Sequence, residues 1–166
     1  MKEKSDKTVL VLLAPGFEEA DVVTITRTLR RAGIAVALVG LTAGPIRGNY
    51  GLALASDRTL NEIELDVPAA VVLPGGTSSA THMAGDPRVH ALLRRVVEAG
   101  AYVFALPPTF SVLKTAGILP AIKPSLLPAD QVLVDGRLVL VPPGFPPQIS
   151  ANTLLGLLGY TIRHRI

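Results

Sequence analysis

Residues 9–39, VLVLLAPGFEEADVVTITRTLRRAGIAVALV, decide the fold. Val9-Leu10-Val11-Leu12-Leu13 is apolar without alternation, which predicts a parallel strand buried on both faces. From Glu18 to Arg31 the period changes. Val22, Ile25, Leu29 and Ala32 recur at helical spacing with Arg27 and Arg31 opposite, and Gly33 stops the helix before a second strand, Ile34 to Val39. A buried strand, an amphipathic helix and another strand make one β-α-β unit, which builds open parallel sheets.

Working outward, the same alternation continues. Ala69 to Leu73 reads as a strand, and Val89, Leu92, Leu93, Val96 and Val97 mark a second amphipathic helix closed by Gly100. Tyr102 to Ala105 is the next strand, followed by a short helix at Thr109. Pro45 to Ala55 (PIRGNYGLALA) and the segment Val132-Leu133-Val134, Asp135-Gly136, Leu138 to Val141 are expected as antiparallel additions to the sheet. The Asp-Gly suits a type I′ turn. A last helix runs from Pro147 or Ser150 to Leu158, with Gly159 as its stop. Lys123 to Asp130 and Val141 to Pro147 are proline-stiffened loops. The expected organisation is a flexible tail, 1–7, and one domain, 8–166. Its class is α/β: a three-layer, mostly parallel sheet with helices on both faces and a β-hairpin addition.

Composition narrows the chemistry. The 166 residues suffice for one core. Zero Cys removes disulfides, thiolate catalysis and Cys-ligated metals. The 16 basic and 13 acidic residues are dispersed, and four Phe, three Tyr and no Trp offer little for base stacking, so no nucleic-acid partner is expected. Thr8 to Ala14 is apolar but much shorter than a membrane span, and no A-x-A-like site follows it. A soluble cytoplasmic protein without a membrane partner is therefore expected. With 17% charged residues and a mean hydropathy of +0.45, an apolar subunit interface is also expected.

In doubly wound sheets ligands bind beyond the carboxyl ends of the strands. Ala14 to Asp21, Leu73 to Thr77, Ala105 to Thr109 and Val141 to Pro147 should converge there. A strand-to-helix turn such as 105–109 holds a Ser or Cys at a strained, exposed apex in α/β hydrolytic folds, but Ala105 and Leu106 offer no nucleophile. Thr109 or Ser111 as nucleophile lacks a nearby His base, and an N-cap is the commoner task for Thr109 after Pro107-Pro108. His82, His90 and His164 share no ligand spacing, so no metal is expected. No cofactor is expected either. Glu18, Glu19 and Asp21 start a helix, where its macrodipole favours acids regardless of catalysis.

In order and spacing, VLVLLAPGFEEAD (9–21), LRRAGI (29–34), VVLPGG (71–76), the Ala105–Thr109 turn and DGRLVLVPPG (135–144) resemble the ThiJ/PfpI (DJ-one-like) superfamily. Its flavodoxin-like fold is related to class I glutamine amidotransferases. The resemblance covers nearly the whole chain. It implies that Asp21 matches the acid partnering an elbow Cys, that Glu18 and Glu19 match the acids before it, and that Ala105 stands where the Cys would be. It implies further that Gly75-Gly76 supplies one oxyanion-hole N–H and Leu106 a second, while Pro107 has none to give. The superfamily's His falls near Ser125, and its polar loop has become Pro142 to Pro147, which includes Pro143 and Phe145.

The binding residues expected are thus Gly75, Gly76, Leu106, Pro107, Thr109, Ser125, Pro143 and Phe145, around a vestigial pocket, either open to a small-molecule ligand or plugged by Leu106, Phe110 and Phe145. The resulting expectation is a binding or structural homodimer without cysteine chemistry. Its dimer interface is implied at the first helix and residues 45–55. A cysteine-independent hydratase or lyase using Asp21 or Glu18 as acid/base competes with it. Residual glyoxalase, deglycase or peptidase activity comes third.

Overall fold

The computed structural model describes residues 8–63, 67–118 and 127–159. The elements in chain order are β1 (Val9–Leu13), α1 (Glu19–Arg31), β2 (Val36–Gly40), β3 (Ile46–Arg47), β4 (Ala53–Leu54), β5 (Arg58–Thr59), a 3-10 turn (Leu60–Ile63), β6 (Ala70–Leu73), α2 (Thr77–Ala84), α3 (Pro87–Glu98), β7 (Tyr102–Ala105), α4 (Phe110–Ala116), β8 (Leu133–Asp135), β9 (Leu138–Leu140) and α5 (Pro147–Leu157). Seven strands form one sheet in the order β5-β2-β1-β6-β7-β9-β8. Every neighbouring pair is parallel except β8 with β9. This is the flavodoxin-like α/β architecture.

The continuous apolar run of β1 is explained by the two layers it faces. Val9, Val11 and Leu13 join the core under α1 and α5, while Leu10 and Leu12 join the core under α2, α3 and α4. A strand buried on both faces has no position left for a polar residue. All five are fully or almost fully buried. At the end of α1, Gly33 takes a φ of 84° and donates to the Arg30 carbonyl, while Ile34 N–H reaches back to Leu29. This is a Schellman arrangement, so Ile34 completes the helix cap and the second strand begins at Val36.

Four expectations need correction. The 45–55 excursion does not join the sheet; β3 and β4 form a separate antiparallel hairpin, held by the loop after β1 through Gly16 N–H to Arg47 O at 2.8 Å and Asn49 N–H to Phe17 O at 2.9 Å. In the second addition only β8 is antiparallel, because β9 continues the parallel series beside β7. Its turn residues are Gly136 and Arg137, and only Gly136 has positive φ (58°), which excludes the type I′ geometry. Helix α2, passed over as a turn, directly follows Gly75-Gly76 and buries Ala80 and Met83. The last helix starts at Pro147 and Gly159 follows it as expected. The tail 1–7 and residues 123–126 of the loop 123–130, Ser125 included, lie outside the described residues.

Candidate functional site

Placing β6 on the opposite side of β1 from β2 creates a switch in strand order, and the loops after β1, β6 and β7 meet beyond it. The first turn of α1 is the organiser. Glu18 donates its backbone N–H to the Gly75 carbonyl at 2.8 Å, and the Gly75 N–H donates to Asp21 Oδ2 at 3.0 Å. Both backbone groups of Gly75 are therefore held by α1. A Cβ at Gly75 would stand 2.7 Å from the Pro107 carbonyl oxygen, 2.8 Å from Asp21 Oδ2 and 3.6 Å from Glu18 Cβ. Those distances bring Asp21, Glu18, Gly75 and Pro107 together at one spot. Gly76, with a φ of 111°, leaves only 2.2 Å between a would-be Cβ and the Gly16 carbonyl oxygen, so no other residue fits.

The three acids separate by task. Asp21 is 8% exposed. Burial pushes its carboxyl up to about 6; the Gly75 N–H opposes that rise and the negative Glu18 adds to it. Glu19 points the other way, accepting from Tyr50 N–H at 2.6 Å and Leu52 N–H at 3.4 Å, and so fixes the β3–β4 hairpin. The macrodipole account of these acids is incomplete, since the Asp21 and Glu19 carboxylates each hold specific backbone N–H groups.

At the elbow the structure departs from the expectation of a strained, exposed apex. Ala105 is an in-register strand residue, paired with Leu73 and Leu140, and fully buried. Among the described residues no non-glycine has positive φ. The Leu106 N–H is not free for an oxyanion, because it donates to the Leu73 carbonyl at 3.1 Å. The Gly75 and Leu106 N–H groups are thus both bonded within the protein, Gly75 to Asp21 and Leu106 to the sheet. Pro107 contributes an acceptor instead. Thr109 occupies the N-cap position of α4 but makes no capping bond; its buried hydroxyl donates back to the Leu106 carbonyl. Ser111 Oγ reaches the Pro108 carbonyl at 3.3 Å. Phe145 is half-buried against the cluster containing Leu106 and Val141, whereas Pro143 is exposed.

Other groups stand apart. His90 Nε2 lies 2.8 Å from the Ala84 carbonyl, and His82 is exposed on α2. Among the described residues no group of three or more His, Cys, Asp or Glu is placed to hold a metal ion. No helix among them is long and apolar enough to cross a membrane. Two hollows of about 310 Å³ each flank Arg88, one against the 3-10 turn and one at the ends of β1 and β2. Neither is lined by Asp21, Gly75 or residues 105–109. Arg88, which sequence reasoning missed, binds Asp86 at 2.6 Å, Asn61 at 3.0 Å and the Leu41 carbonyl at 3.0 Å. Only the Asp86-Pro87 start of α3 hints at it, as an N-cap followed by Pro.

A mostly parallel α/β sheet with an acid after β1, a Pro-Gly-Gly turn after β6 and a strand-to-helix turn after β7 that begins at Ala105 defines a flavodoxin-like protein. A model of the DJ-1/PfpI family matches residues 7–137, and the chain belongs to that family. It is 32% identical over 148 residues to Protein dj-1beta of Drosophila melanogaster, covering 80% of this chain and 79% of the relative. Identity to Deglycase TK1284 of Thermococcus kodakarensis is 28% over 111 residues, 67% of this chain and 66% of the relative. Among solved structures, Drosophila DJ-1beta superposes with a TM-score of 0.85 at 28% identity, covering 94% of this chain and 92% of the other. A cysteine-to-alanine mutant of the DJ-1 superfamily protein STM1931 from Salmonella typhimurium superposes with a TM-score of 0.82 at 30% identity, covering 93% and 91%.

Proposed function

We propose that this chain is a cytoplasmic homodimer that has lost the cysteine chemistry suggested by its family resemblance and acts as a binding or structural protein, with any small-molecule ligand taken at the vestigial site. The observation that carries this reading is the state of the elbow. A methyl group stands in the nucleophile's place, and the Gly75 and Leu106 N–H groups that would stabilise an oxyanion are already bonded within the protein. With no Cys in the chain and these two N–H groups engaged, cysteine-based acyl or hemithioacetal chemistry lacks its nucleophile and two of its donors.

The dimer rests on a second observation. Val23 on α1 and Tyr50 and Leu52 on the hairpin are exposed large apolar residues, 46%, 81% and 44% accessible, on two elements that Glu19 joins. Exposed large apolar side chains on two joined elements favour a protein partner.

One feature supports the competing reading of carboxylate chemistry. A buried Asp21 titrating near 6 is placed between its two protonation states near neutral pH, as a general acid or base in a hydratase or lyase must be. A deglycase activity, carried in the name of Deglycase TK1284, is the third reading. The experiment that separates the three follows turnover of α-oxoaldehydes, glycated thiols and amines, esters and peptides by the purified chain and its Asp21→Asn variant. No turnover above buffer is expected from either protein. Turnover by the native chain that disappears in Asp21→Asn would replace the proposal with carboxylate chemistry, and deglycation that persists in Asp21→Asn would replace it with the third reading.

A further inference from the structure

Between α3 and the 3-10 turn lies one of the two hollows of about 310 Å³. Leu60, Ile63 and Leu92, all buried, form its apolar floor, and Arg88, Arg95 and Asn61 supply its polar groups, with the small, exposed Ala91 between the arginines. Helical spacing puts residues 88, 91, 92 and 95 of α3 on one stripe, with the two arginines about 10 Å apart along the axis. Each arginine is tied across to the turn: Arg88 Nη1 donates to Asn61 Oδ1 at 3.0 Å, and Arg95 Nη2 to the Ile63 carbonyl at 3.0 Å. Both arms are therefore braced before a ligand arrives, which lowers the entropy cost of ordering two long side chains around it.

The polar groups of this hollow donate. A guanidinium has five N–H groups and no acceptor. Arg88 makes four bonds, to Asp86, the Leu41 carbonyl and Asn61, and its fifth N–H is on Nη1, the nitrogen that meets Asn61 at the wall of the hollow. Because Asn61 Oδ1 accepts from Arg88, the Asn61 amide presents its NH2 as a further donor group. Among the described lining residues none carries a carboxylate, and Glu62 on the same turn accepts from Thr59 N–H and Oγ1 instead. A positive, donor-rich rim over an apolar floor matches an anionic acceptor on an apolar body. Asp86 already offsets the charge of Arg88, so one negative charge fits better than the two of a phosphate. We propose that this hollow is a ligand site for a small monocarboxylate, its acid group on the Arg88–Asn61–Arg95 rim and an aromatic ring or short alkyl chain on Leu60, Ile63 and Leu92. The volume is at the lower end for small-molecule sites, which limits the body to about one ring. Neither Asp21 nor Gly75 nor residues 105–109 line it, so it stands or falls separately from the chemistry of the elbow.

The test is an NMR titration of the isotope-labelled chain with benzoate, phenylacetate and hexanoate. At least one of them should shift the amide signals of residues 60–63 and 88–95, with a dissociation constant on the order of 1 mM. Benzamide, which keeps the ring and loses the charge, should bind at least about tenfold more weakly than benzoate, and phenyl phosphate no more tightly. Arg95→Met removes one arm of the rim, and Ala91→Phe fills the hollow without touching any of the bonds above; each should weaken binding about tenfold or more. If Arg95→Met fails to fold, Ala91→Phe decides. The proposal is overturned if none of the three carboxylates moves these signals up to about 20 mM, or if the shifts centre on residues 74–76 and 105–109. Equal binding of benzamide, much tighter binding of phenyl phosphate, or unchanged binding by Ala91→Phe also overturns it.

Discussion

Asp21 makes folding depend on pH in an unusual direction for a carboxylate. Its folded pKa of about 6 lies above the ordinary 3.8, so its contribution to stability is fully present below about pH 3.8 and is lost as pH rises through 6. Asp21→Asn keeps an oxygen acceptor for the Gly75 N–H and removes the buried charge. Urea denaturation should find the variant more stable than the native chain by up to about 3 kcal/mol at pH 8 and little different at pH 4. Asp86 has the opposite sign, since the Arg88 guanidinium holds its carboxyl below the usual range, and comparing the two proteins at each pH cancels its effect. Gly75 tests the close packing around the same acid. A Cβ there meets the Pro107 carbonyl oxygen at 2.7 Å and Asp21 Oδ2 at 2.8 Å, so Gly75→Ala should cost about 2 kcal/mol or more. Gly33→Ala, with nothing within 4 Å and only a positive φ to accommodate, should cost about 1 kcal/mol in the same denaturation series.

At the scale of elements, α3 is tied in place by one side chain. Arg88 connects the N-cap Asp86, the 3-10 turn through Asn61 and the end of β2 through the Leu41 carbonyl. Arg88→Met keeps the apolar stem and removes those bonds. It should lower stability by about 1–2 kcal/mol, with exchange protection lost first around residues 60–63 and 86–90. The same elements show what the chain makes legible. β1, α1, α3 and β7 announce themselves because burial on both strand faces, or on one helix stripe, imposes a period on the sequence. Helix α2 escapes because TSSATHMA presents only a short apolar face between two glycines. β5 escapes because Arg58 and Thr59, at the sheet edge, need no hydrophobic pattern. The separate position of β3 and β4 was not readable at all, since it is set by backbone bonds from residues 16 and 17 and by one carboxylate whose partners lie more than 30 residues away.

For the whole molecule, the sequence exposed the absence of Cys and the gathering of residues 18, 21, 75 and 107, whereas the engagement of the Gly75 and Leu106 N–H groups depended on tertiary hydrogen bonds. A side chain's identity is written in the sequence; what its neighbour's N–H is bonded to is not. Sedimentation of the native chain at micromolar concentration should show a dimer, and Tyr50→Asp combined with Leu52→Asp should weaken it at least about tenfold without unfolding the monomer. The central claim is that the elbow no longer supports an activated anion, and Ala105→Cys addresses it directly. The measurement is the pH dependence of iodoacetamide modification of the introduced thiol in the folded protein. Burial of residue 105 and the engagement of the Gly75 and Leu106 N–H groups within the protein predict slow modification with a midpoint at or above the ordinary thiol value of about 8.5. Rapid modification with a midpoint well below about 7 would show a site still built to hold a thiolate, and would contradict the account.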